Sequence, residues 1–80
     1  MEKKMRLLIR ERKKPGEWHT VKSLPVEHKK DEVLKEYIYY THCHLCHRQI
    51  AHFDVEKLSR SYSIHCMLAH KNKIIEASLI

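Results

Sequence analysis

Cys43 and Cys46 stand a Cys-x-x-Cys apart, and His65 and His70 follow with four residues between them. Two thiolates and two imidazoles are the soft-to-borderline donors of a tetrahedral Zn²⁺ site. Each pair must grip one ion from a single local element, a knuckle for the cysteines and a helix for the histidines. A structural zinc is therefore the leading expectation. Spacing leaves the third ligand open, because Cys66 is four residues from His70 and projects from a regular helix more nearly in line with it than His65 does. His42, His44, His47 and His52 crowd the knuckle and read as solvated groups or as groups that orient the ligands. A redox role for Cys-x-x-Cys would need a βαβ context that the chain does not offer. A hydrolytic zinc would keep one position for water beside a general base, whereas here four ligands are at hand and no His-Glu-x-x-His pattern occurs.

Such a site answers a need set by size. Eighty residues form one domain, and so short a chain buries too little surface to rest comfortably on a hydrophobic core alone. Three cysteines cannot all pair, and the chain opens at Met1 without the apolar run of a secretory signal. An intracellular, reducing compartment is expected, with metal in place of disulfide. No stretch approaches the roughly 20 apolar residues of a membrane span, and no membrane or small-molecule partner is expected.

Charge divides unevenly. Residues 1–30 hold ten Lys/Arg against four Asp/Glu, and residues 31–80 hold six of each. The entire excess of +6 lies outside the metal-site residues, in a block that a polyanion would feel first. Nucleic acid is the obvious polyanion, and the bland reading is a solubilising face that binds nothing.

The elements that must position the site follow in chain order. Residues 4–24 read as a β-hairpin turning at Lys13-Lys14-Pro15-Gly16, with Met5, Leu7, Ile9, Trp18 and Thr20 alternating onto one buried face. Glu27 to Glu32 reads as a polar connection that could carry a helical turn near Asp31. Val33 to Tyr40 favours a strand running into the knuckle, although Asp31 to Tyr37 also fits a helix. Residues 47–53 would return as a strand with Ile50 and Phe53 inward. Asp54 is a good N-cap, and Leu58, Tyr62, His65 and Ala69 form an amphipathic stripe. Helical spacing continues through Ile75 and Leu79, in a tail that either covers the sheet or makes a dimer contact.

Residues 40–70 resemble the two-cysteine, two-histidine (C2H2) zinc fingers. Tyr40 precedes Cys43 by three, Ile50 follows Cys46 by four, Tyr62 lies three before His65, and His70 closes the pattern. The resemblance implies a ββα finger, assigns the metal to Cys43, Cys46, His65 and His70, and favours His65 over Cys66. One departure is the eighteen residues between Cys46 and His65, against about twelve in the family. They call for a longer hairpin or an added helical turn. The expected fold is thus α+β: a basic N-terminal hairpin or arm (residues 1–30), then a finger with an elongated linker and an extended C-terminal helix (residues 31–80), in one compact unit.

The family most often binds nucleic acid, and the resemblance implies a DNA-binding transcriptional regulator. If His65 takes the first-histidine place, the base-reading positions fall on Leu58, Arg60, Ser61 and Ile64, and only Arg60 has the fork that reads guanine. Arg6, Arg10, Arg12, Lys13 and Lys14 would supply phosphate contacts that anchor without reading sequence, with a homodimer as one way to enlarge the interface. The competing class is a zinc-stabilised protein-interaction module using Trp18, the tyrosines and the apolar tail. No catalytic constellation stands out, so no enzyme is expected. The Lys/Ile/Glu-rich, Gln-poor composition suits a thermophile, and as a small single-finger protein the chain is similar also to regulators encoded by viruses of hyperthermophilic archaea.

Overall fold

A computed structural model describes residues 5–80, in the order β1 (Arg6–Lys14), β2 (Glu17–Pro25), β3 (Glu27–Asp31), β4 (Glu36–His42), β5 (Gln49–His52), α1 (Val55–Ala69) and β6 (Ile74–Leu79). The fold is α+β, as expected. Two three-stranded antiparallel sheets, ordered β2-β1-β6 and β3-β4-β5, flank the helix, which packs on β6 of one and β5 of the other. Lys3 and Lys4 of the basic block lie outside the described residues, as does the expected start of the hairpin at Lys4.

The hairpin forms because Pro15 presets φ and Gly16 adopts φ 84°, the pair of conformations a type II turn requires. Leu7 and Ile9 are fully buried, as their alternation predicts. Trp18 and Thr20 are not beside them. Ile9 pairs with Lys22 but Arg10 pairs with Thr20, so β2 carries a bulge at Val21. One extra residue reverses side-chain parity from there on, which puts Thr20 and Trp18 opposite Arg10 and Arg12 on the outer face.

β2 runs through Val26 into β3, where the sequence suggested a connection with a helical turn. Glu27–Asp31 instead pairs with Glu36–Tyr40, and Asp31 closes the turn by accepting from the backbone N–H groups of Val33 and Leu34. β4 then leads into the knuckle, as the tyrosine-rich run predicts. Ile50 is buried, but Phe53 lies past the end of β5 and is 47% exposed.

The tail corrects the extended C-terminal helix. α1 stops at Ala69, Lys71–Lys73 turns the chain, and Ile74–Leu79 adds to the free edge of β1. Two effects defeat helical spacing here: paired β-branched residues at Ile74 and Ile75 suit a strand, and β1 offers an edge of unpaired backbone groups. Residues 5–80 close with Ile80 and Arg6 exchanging backbone hydrogen bonds. Leu7, Ile9, Leu24, Val26 and Ala77 meet Leu58, Tyr62 and Cys66 of the helix, with Cys43 of the knuckle and Ile50 of β5, in one core.

Candidate metal centre

The cysteines are placed by a tight turn. His47 donates from its backbone N–H to the Cys43 carbonyl, Cys43 donates to the Arg48 carbonyl, and His47 itself takes φ 61° so that the chain can reverse into β5. Within the turn the Leu45 N–H points at Cys43 Sγ, 3.5 Å away. Burial works against a thiolate at Cys43, but N–H groups of Cys46 and Leu45 aimed at its sulfur more than offset it and hold this thiol below its ordinary range. A sulfur so arranged is ready to bind a cation.

The histidines come from the other side. Asp54 caps α1 by accepting from the Glu56 N–H at 2.9 Å. The long spacer between Cys46 and His65 is accounted for by helical turns: His65 is the eleventh residue of α1. The five-residue step to His70 needs no bulge inside the helix, because His70 is the C-cap, with non-helical φ −128° and ψ 59° and its N–H still donating to the Cys66 carbonyl. Leaving the helix at that point swings its ring back beside His65, the two rings lying edge to face with centroids 5.4 Å apart.

Together these elements converge four donor atoms. Cys43, Cys46, His65 and His70 each offer one ligand atom, all within 4.8 Å of one another. Cys43 Sγ is 3.5 Å from His70 Nε2, and Cys46 Sγ is 3.3 Å from His65 Nε2. This is a C2H2-like arrangement that could coordinate one metal ion. Cys66 does not join it. Its side chain is fully buried beside Leu58 and Tyr62 in the core, where burial first and the nearby Cys43 sulfur second push the thiol up to about 12. The core stripe is accordingly Leu58, Tyr62 and Cys66, whereas His65 is half-buried at its edge and Ala69 is exposed.

Sequence reasoning missed the partnership that braces the knuckle. Tyr62 Oη accepts from the His44 backbone N–H at 3.0 Å and shares a second hydrogen bond with His44 Nδ1. Burial raises the Tyr62 phenol and lowers the His44 imidazole, so both groups are held in their neutral forms. Nothing in the sequence links two residues eighteen positions apart. Of the other nearby histidines, His52 accepts from the Asp54 N–H, His42 lies edge to face with Tyr40, and His47 is exposed. None enters the cluster.

The candidate nucleic-acid residues divide between two places. Arg6, Arg10 and Arg12 share the outer face of β1, by strand alternation. Arg6 is tied to Ser23 by two hydrogen bonds, Arg10 pairs with Glu76 at 3.0 Å, and Arg10 and Arg12 both lie over the Trp18 ring. Lys13 and Lys14 are exposed at the hairpin tip. Arg60 is exposed on α1, on another element. Of the other base-reading positions, Leu58 is fully buried and Ser61 partly so. No helix among the described residues is long and apolar enough to cross a membrane. Comparison with known proteins returns no matching family model, no matching curated protein and no matching solved structure.

Proposed function

We propose that the chain is a zinc-stapled DNA-binding protein, in which the metal is structural and the basic hairpin supplies the contacts to nucleic acid. The convergence of two thiols and two imidazoles within 4.8 Å carries the metal half of this reading. Zn–S bonds of about 2.3 Å and Zn–N bonds of about 2.0–2.1 Å place sulfur and nitrogen about 3.6 Å apart on the edge of a tetrahedron. The two sulfur–nitrogen separations of 3.5 and 3.3 Å are close to that edge. Mixed thiolate and imidazole ligands suit zinc over magnesium or calcium, which take oxygen. With all four positions supplied by protein, the ion acts as a cross-link between knuckle and helix. Native mass spectrometry should find one zinc per chain, kept in Cys66→Ser and lost in His65→Ala; the reverse pattern would transfer the ligand to Cys66.

The nucleic-acid half draws support from the three arginines on one face of β1 and the two lysines at its tip, within the segment that holds the whole net charge. Binding of this kind anchors on phosphates. The helix is a poor reading head, since Leu58 is in the core and Ile64 is apolar, so a regulatory role would rest on the hairpin. Affinity for duplex DNA should fall linearly in log K against log salt, with a slope of roughly −0.9 per phosphate neutralised. Replacing Arg12, Lys13 and Lys14 by alanine should flatten that slope by about three contacts' worth. A wild-type affinity indifferent to salt would sink the reading.

A further inference from the structure

The geometry points to a second binding surface: the groove between α1 and β6, which we infer receives an acidic, amphipathic segment of a partner protein. The groove has a volume of about 420 Å³, and Ile64, Met67, Ile74 and Ile75 line it together with Arg60, Lys71 and Lys73. Arg60, Ile64 and Met67 recur at steps of four and three, one stripe of α1, so they align along a face about 10 Å long, and Lys71 follows in the turn just past the helix end. It is not the face that builds the core. That face carries Leu58, Tyr62 and Cys66, whereas Ile64, Met67 and Ile74 are 44%, 63% and 58% exposed. Exposed large apolar side chains standing singly are ordinary, but a contiguous set around a concavity marks an interaction surface.

Charge selects the occupant. Three cations and no carboxylate line the groove. Lys73 leans toward Glu11 at 3.9 Å, and Arg60 and Lys71 remain to meet anions. A second copy of this chain, docked about a two-fold axis, would bring its own Arg60 and Lys71 against these, with like charges opposed across the seam. A nucleic acid would offer phosphates to the cations but nothing to the four apolar side chains. A helical segment with leucine-type anchors on one side and Asp/Glu on the other satisfies both, in the manner of an amphipathic helix laid in a groove. Such a surface lies on a different element from the hairpin arginines, so its occupation and DNA binding are separable.

The test uses the zinc-loaded full chain and a fluorescein-labelled synthetic helix of about 16 residues, long enough for the stripe, with Leu on one face and Glu/Asp on the other. A control peptide carries Lys at every acidic position. Anisotropy should show saturable binding of the acidic peptide and none of the basic one, with amide shift changes concentrated in residues 60–75. Met67→Asp and Ile64→Asp should each weaken binding about tenfold or more, as expected for an anchor residue, and Met67→Asp should leave the salt-dependent DNA affinity unchanged. Should Ile64→Asp disturb folding, Met67→Asp, at a position 63% exposed, carries the test alone. Equal binding of both peptides, no binding, or shifts confined to the hairpin would overturn the inference. So would a dimer in sedimentation that Met67→Asp dissociates, since the groove would then belong to a second copy.

Discussion

Both sheets of this protein are three-stranded and antiparallel, but β3-β4-β5 is a sequential meander whereas β6 joins β1 from the far end of the chain, and the two differ in how much they bury. The β2-β1-β6 sheet sends Leu7, Ile9, Leu24 and Ala77 into the core. From the β3-β4-β5 sheet only Ile50 and Thr41 are buried, with Cys43 just beyond the end of β4. The first sheet can be held to the helix by apolar burial, at roughly 25 cal/mol per Å² removed from water. The second has little to bury, and beside it the chain gathers the four side chains that could coordinate a metal ion. The cross-link proposed above would thus sit where the hydrophobic material is sparsest, which is what a chain too short for a full core requires.

The largest test of that contrast removes the metal. Chelation, or Cys43→Ala, should forfeit much of the roughly 10–16 kcal/mol of apparent binding free energy that structural zinc contributes. Amide exchange should report β4, the knuckle and the C-terminal half of α1 losing protection. A cooperative, fully protected fold after exhaustive chelation would erase the contrast. Acid should act in the same direction. Burial lowers the His65 imidazole, and the positive charges of His70 and Arg48 add to the effect. The unfolded chain therefore binds the proton first, and the stability His65 contributes is present above its unfolded value of roughly 6.5 and lost as pH falls through the lower folded one. Thiolate-to-cobalt absorption of the Co²⁺-loaded protein, followed from pH 8 downward, tracks this release.

Leu7→Ala probes the other sheet. Its fully buried side chain predicts a loss of about 2–5 kcal/mol in denaturant unfolding. Competition with a zinc indicator under native conditions should show metal affinity almost unchanged, and a large drop would mean the two regions are not separately held. Tyr62→Phe falls between the regions and has the smallest expected effect, about 1–3 kcal/mol for leaving the His44 groups without their partner. Because Tyr62 braces the knuckle through His44, metal affinity should fall about tenfold. An unchanged affinity would reduce Tyr62 to core packing.

Reading the sequence alone went furthest where a residue's role is local. The Cys-x-x-Cys turn, the Pro15-Gly16 hairpin and the Asp54 cap depend on neighbours within a few positions, and each stands where its chemistry put it. Errors arose where two distant segments decide together. Trp18 changed faces because of a bulge at Val21 that exists only in the pairing with β1. Ile74–Leu79 kept helical spacing on paper, yet an open edge on β1, more than 60 residues earlier, outweighed it.

What the amino-acid order settled by itself was the Cys-x-x-Cys pair with candidate donors downstream, the net charge and the confinement of that charge to residues 1–30, because residue type and spacing suffice for those. Tertiary structure alone decided that His65 and not Cys66 turns toward the cysteines. A helix that buries Leu58, Tyr62 and Cys66 along one line must send Cys66 into the core and leave His65 at the edge, and only the end of that helix at Ala69 frees His70 to meet it.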